Sequence, residues 1–174
     1  MKPLDHTLLS VYLKPGEMHI AQKPTLVTTV LGSCVSVTMF HRVSGVGAIC
    51  HGLLPQCKGK KDCDDGCVDG FKYMNCSIQR MIERFKTLKV GLGDIEVKIF
   101  GGADVLSPAD TASNTINVGK ENIETALREI EREGLRLVTY DVGGTFGRKI
   151  LFYTHTGEVL LKRLKTTDRR RSRF

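Results

Sequence analysis

The sequence predicts an α+β fold, a layered α/β sandwich with a largely antiparallel or mixed sheet and two main helices. Three observations lead there. Short runs dense in β-branched residues recur along the chain, several of them meet in hairpin-length turns, and just two stretches carry an apolar stripe at helical spacing.

The opening reads as loop up to Pro24. Thr25 to Phe40 (TLVTTVLGSCVSVTMF) then reads as a strand, a tight bend at Gly32 and a second strand. After the polar break His41-Arg42-Val43-Ser44, the run Gly45 to Leu54 ends at Pro55 and completes a hairpin. Asp69 is placed to cap a helix from about Gly70 to Lys89, with Phe71, Met74, Ile78, Met81, Ile82, Phe85 and Leu88 on one face. Ile95 to Phe100 alternates as a strand and stops at Gly101-Gly102. Asn117 caps the second helix, whose Val118, Ile123, Ala126, Leu127 and Ile130 are expected to face inward, with Gly134 at its end. Leu135 to Val142 is a further strand. Ile150 to Tyr153 and Val159 to Leu164 close the chain as a hairpin around Thr156-Gly157.

No repeat or linker divides the chain, so residues 1–174 are expected to form a single domain, with a cysteine-rich insertion at about 56–70 and a basic tail at 162–174. The net charge of +7 resides almost wholly in that tail, where Lys162, Arg163, Lys165, Arg169, Arg170, Arg171 and Arg173 cluster. The rest is near neutral and contains no Trp, which argues against a nucleic-acid face. No apolar run is long enough to span a membrane, no signal peptide opens the chain, and a cytoplasmic location is expected. In that compartment six cysteines do not imply a disulfide framework.

Cys34 and His51 are the candidate chemistry. A hairpin turning between Arg42 and Val43 sets Cys34 opposite His51, with Cβ atoms about 4.5–5.5 Å apart on one face of the sheet. A neighbouring imidazole is expected to lower the thiol pKa and accept its proton, which makes the pair a unit for nucleophilic catalysis. Small residues at Gly32-Ser33-Cys34 let a substrate approach the backbone, where N–H groups are candidates for stabilising an oxyanion.

The runs Thr28-Thr29-Val30-Leu31-Gly32-Ser33-Cys34-Val35 and Gly47-Ala48-Ile49-Cys50-His51-Gly52-Leu53-Leu54-Pro55 resemble the active-site region of the CheD family of chemoreceptor glutamine deamidases. Phe100-Gly101-Gly102-Ala103, Asn117-Val118-Gly119 and Asp141-Val142-Gly143-Gly144 match in order, so the resemblance covers roughly residues 15 to 164. It implies Cys34 as nucleophile, His51 as general base and Thr28 as the group that orients the imidazole, with the adjacent Thr29 left open. It also implies a sandwich similar to glutamine-deamidating toxin domains, the cytoplasmic helices of chemoreceptors as substrate, and a CheC-type phosphatase as partner. The turn His41–Ser44 and the loop Gly143–Arg148 are the expected rim of the partner surface.

Cys57, Cys63, Cys67 and Cys76 depart from the shorter loop of that family. Their spacing lacks paired CxxC clips, and reduced thiols are favoured over a zinc site, so no metal or other cofactor is assigned. Gly143 to Lys149 lacks the phosphate-loop frame and the helix such a loop opens, and reads as a tight turn. Alternatives to a deamidase are a non-catalytic adaptor binding receptors and the phosphatase, or a thiol or zinc interaction module.

Overall fold

The computed structural model describes residues 8–57, 69–105 and 117–165. Among these residues nine strands form two sheets, and two α-helices cover one of them. The first sheet contains β1 (Leu9–Tyr12), β3 (Thr25–Leu31), β8 (Gly147–Tyr153) and β9 (Val159–Leu164), in the order β1-β3-β8-β9. The second contains β2 (Met18–Ala21), β4 (Val35–His41), β5 (Val46–Gly52), β6 (Ile95–Gly101) and β7 (Arg136–Val142), in the order β2-β5-β4-β6-β7. Each sheet is antiparallel apart from one parallel pair, β1 with β3 and β6 with β7. The mixed α+β layering read from the sequence is therefore observed.

The opening is not all loop, because β1 and β2 each add a four-residue edge strand. Strands this short present too few residues for alternation to emerge, and pairing with β3 and β5 supplies what periodicity does not.

The core is split by the second sheet. On its outer face Val35, Val37, Met39, Ala48, Cys50, Val97 and Ile99 pack against α1 (Met74–Thr87) and α2 (Val118–Arg132). On its inner face Ile49 and Phe100 meet Val27, Leu31, Ile150 and Phe152 of the first sheet. Both faces of β4 and β5 are thus covered, and both strands are buried throughout. This accounts for their near-continuous apolar sequence.

The first helix departs from expectation at both ends. Gly70–Lys72 form a 3₁₀ turn, the α-helix begins at Met74, and Asp69 makes no capping hydrogen bond with its side chain. Its carboxylate pairs with Lys72 instead, at 2.9 Å. Phe71 and Leu88 lie outside the α-helix and are exposed, while Met74, Ile78, Met81, Ile82 and Phe85 are buried as expected. For α2 the Asn117 cap is present, its side chain accepting from Lys120 N–H at 2.9 Å. The buried face, however, is turned toward Gly119, Asn122, Thr125, Ala126, Glu129 and Ile130, and leaves Leu127 exposed. Gly119 permits the close approach of this helix to the loop after β6, since a Cβ there would lie 2.7 Å from the Gly102 carbonyl oxygen.

Candidate active site

Cys34 lies in the bend where the chain leaves β3 in the first sheet and enters β4 in the second. Three donors hold the carbonyls of that bend: Ala103 N–H bonds Gly32 O at 2.9 Å, Asn122 Nδ2 bonds Ser33 O at 3.2 Å, and Gly102 N–H bonds Cys34 O at 2.8 Å. Two of the three come from the Phe100-Gly101-Gly102-Ala103 run singled out in the sequence, and glycine is required there. Gly102 has φ +66°, and a side chain at Gly101 would overlap the Cys34 carbonyl oxygen.

The hairpin exists, but its register differs from the one expected. Ser36, not Cys34, stands opposite His51, and Val35 opposes Gly52, because the turn is centred one residue later than assumed. The offset is two residues, one full period of side-chain alternation, so Cys34 and His51 still face the same inter-sheet layer. There Cys34 packs against the inner cluster. His51 is fully enclosed, its N–H bonded to Glu17 O at 3.0 Å and its carbonyl accepting from Gly16 N–H at 2.8 Å.

The hydroxyl that meets the imidazole belongs to Thr29. Thr29 Oγ1 lies 2.8 Å from His51 Nδ1 and 2.8 Å from the Leu13 carbonyl oxygen. That carbonyl only accepts, so the hydroxyl proton goes to it and the hydroxyl oxygen accepts from Nδ1–H. The lone pair then resides on Nε2, which is buried and has no partner among the described residues. Thr28, the position to which the resemblance points, alternates to the opposite face of β3 and is only half-buried. The structure thus joins His51 to Thr29, sets Cys34 on the same inter-sheet layer, and leaves the Thr28 side chain on the outer face.

Burial sets the protonation states. It lowers the His51 pKa to about 4, against smaller opposing effects from the Leu13 carbonyl and the Glu17 carboxylate. It also raises the Cys34 thiol, partly offset by the residue's own backbone N–H. Both groups therefore rest neutral, and the thiol is not the lowered one expected from the sequence. Cys50, fully buried and pushed up to about 12, is an inert core residue.

The two expected rim segments part company. Gly143–Arg148 borders the site, because Gly143 N–H bonds Gly101 O and Asp104 N–H bonds Gly144 O, each at 2.8 Å. The turn after His41 lies at the far end of β4, roughly 20 Å away at about 3.3 Å per residue. Arg148 is neither solvated nor free to touch a substrate. It is 4% exposed and bonds Asp141, Gly143 O and Phe146 O, which clamps the glycine turn. From the basic tail, Lys162 and Arg163 belong to β9, Arg163 pairing with Asp141 at 2.8 Å, and residues 166–174 lie outside the described residues. Cys63 and Cys67 lie outside them too, while Cys57 is half-buried and Cys76 is buried in α1.

A family described as "CheD chemotactic sensory transduction" matches residues 53–163. The chain is 53% identical over 158 residues to "Probable chemoreceptor glutamine deamidase CheD 2" of Geobacter sulfurreducens, covering 91% of this chain and 92% of the relative. Proteins named "Probable chemoreceptor glutamine deamidase CheD" from Maridesulfovibrio salexigens and Methanococcus maripaludis are 38% and 33% identical, covering 89% and 86% of this chain and 92% of each relative. The chain belongs to the CheD family. Within this CheD chain the matched family stretch begins two residues beyond His51, so the reading of Cys34, His51 and Thr29 rests on their geometry. Sequence reasoning did not find Asn122 or the Leu13 carbonyl. A signal for Asn122 was present, since it lies one helical turn before Ala126 and so in line with the buried stripe.

Proposed function

We propose that this CheD chain is a protein-glutamine deamidase that converts glutamines on the cytoplasmic helices of chemoreceptors to glutamates. The observation that carries the reading is the Thr29–His51 hydrogen bond, which leaves Nε2 as an unpartnered base on the inter-sheet face it shares with Cys34. In this scheme Nε2 takes the Cys34 thiol proton as the sulfur bonds to the glutamine amide carbon, and the carbonyl π pair moves onto oxygen. The tetrahedral intermediate collapses, the C–N bond breaks, and ammonia leaves with the proton from Nε2. Water then attacks the thioester, His51 takes its proton, and the thiol is regenerated as the γ-carboxyl is released. Thr29 acts as the orienting group, the role that the resemblance assigns to Thr28. A hydroxyl stabilises an imidazolium less than a carboxylate does, which suits a base called on only transiently.

Receptor helices as substrate place the protein in the cytoplasm, and among the described residues no helix is long and apolar enough to cross a membrane. A CheC-type phosphatase that presents a helix-like surface to the Cys34 end of the fold would compete with receptor. Mass spectrometry of a receptor cytoplasmic fragment should show amide-to-acid conversion with the wild-type protein and none with Cys34→Ala. Equal conversion by both would end the assignment. The phosphatase should raise the apparent KM of the receptor fragment, and independent binding of the two would remove the competition.

A further inference from the structure

Asn122 is 0% exposed, and its amide uses both N–H groups on the walls of the site. Nδ2 donates to Ser33 O at 3.2 Å and to Leu53 O at 3.0 Å, joining the bend that carries the nucleophile to the segment just beyond His51. Two carbonyls can only accept, which fixes the amide's orientation and points Oδ1 away from both. Oδ1 is buried without a partner among the described residues. A buried acceptor left without a partner is costly, so packing alone favours an apolar residue at this place in α2. The two donated bonds are the reason for an amide.

Their consequence follows from the planarity of the peptide. In a trans peptide the C=O of one residue and the N–H of the next point in opposite directions. Among the described residues no peptide is cis. With Ser33 O drawn toward α2, the N–H of Cys34 is directed away from that helix. Gly32 O and Cys34 O are held just as firmly by Ala103 and Gly102, so the bend has no freedom to turn this peptide over.

We infer that Asn122 is a positioning residue for deamidation, setting the Ser33–Cys34 peptide so that the Cys34 N–H receives the oxyanion formed when Cys34 attacks. The inference rests on Cys34 being the nucleophile, and it assigns Asn122 no contact with substrate.

The test uses the full chain and two reactions of Cys34. Deamidation of a receptor fragment forms an oxyanion, whereas alkylation by iodoacetamide displaces iodide and forms none. Asn122→Ala should lower kcat at least tenfold and up to about 10²-fold, with KM within about threefold, approaching the cost of losing one oxyanion donor. Its alkylation rate at Cys34 should stay within about twofold of wild type. Equal losses in both reactions would mean that Asn122 merely keeps the sulfur in place, and no loss in either would mean that it is dispensable. Each result overturns the inference. Asn122→Asp, nearly the same size but without the donors, serves if the Ala variant does not fold.

A measurement on the wild type avoids mutation altogether. A peptide carrying glutamate γ-semialdehyde in place of glutamine adds the Cys34 sulfur at its aldehyde carbon, the thiol proton passing to His51 Nε2 as the π pair moves onto oxygen. The Cys34 amide proton should shift downfield on addition, and an unmoved or upfield resonance would overturn the inference. Cys34→Ala, run alongside, separates the claims. Activity surviving there removes the nucleophile reading and this inference with it, whereas an inactive Cys34→Ala beside an unaffected Asn122→Ala removes the inference alone.

Discussion

Thr29→Val and Thr28→Val form a pair of nearly isosteric changes at adjacent positions with opposite expected outcomes. Thr29 Oγ1 bridges two buried groups, accepting from His51 Nδ1–H and donating to Leu13 O, each over 2.8 Å. Valine keeps the shape and leaves both groups without a partner. At about 1–3 kcal/mol for each abandoned group, and with some relaxation, the expected destabilisation is about 2–4 kcal/mol. For a domain of this size that lowers Tm by roughly 5–10 °C. Catalysis suffers separately. Without an acceptor for Nδ1–H the imidazole loses its preferred tautomer and orientation, and part of the roughly 10²–10⁴-fold contribution of a general base goes with it. Thr28 lies on the outer face of β3, where such a change typically costs within about 0.5 kcal/mol. Ammonia release from a receptor fragment and urea unfolding monitored by circular dichroism measure both quantities for each variant. If Thr28→Val proved the more damaging change, the assignment of the orienting hydroxyl would be wrong.

Further outcomes follow from the same geometry. His51→Ala should reduce deamidation nearly as far as Cys34→Ala, because base and nucleophile act as a unit; ammonia assays showing more than about a tenth of wild-type kcat in either would contradict this. Burial holds His51 near pKa 4 in the fold against an ordinary 6.5, so the unfolded chain binds a proton that the folded one refuses. Stability should therefore fall by up to about 3 kcal/mol as pH drops from 6.5 to 4, then cease to fall on this account. Urea unfolding across that range should show a shallower slope for His51→Gln than for wild type, and identical slopes would refute the linkage. Arg148→Met should cost about 2 kcal/mol, less than a typical buried pair because Asp141 keeps Arg163 as a partner. It should also loosen the Gly143–Phe146 turn, visible as faster amide exchange there, and unchanged exchange would argue against the clamp. Gly102→Ala forces a side chain onto φ +66° and into Ile123, and should abolish activity with a clear loss of Tm. Wild-type kcat in that variant would show that the loop does not hold the nucleophile bend.

The sequence by itself determined most of the local elements and singled out Cys34 and His51 as candidates. Period-two alternation marks Ile95–Phe100, helical spacing marks a helix between about Gly70 and Lys89, and Asn117 announces its cap, because these patterns depend on neighbours a few residues apart. That Cys34 and His51 face one layer was legible for a similar reason, since a two-residue error in hairpin register leaves both on the same side of the sheet. What only the tertiary structure decided lies across longer separations. Two sheets, rather than one, require β3 and β4 to part at Gly32-Ser33-Cys34, and no local pattern encodes which strands a segment will join. The choice between Thr28 and Thr29 is a question of which face of β3 meets the second sheet, and both residues suit a strand equally well. Asn122 lies 89 residues beyond Ser33, and its role becomes visible only when α2 is laid across the bend. The burial that holds His51 near 4 and raises Cys34 is likewise a property of packed layers, so composition and spacing alone suggested the opposite shift for the thiol.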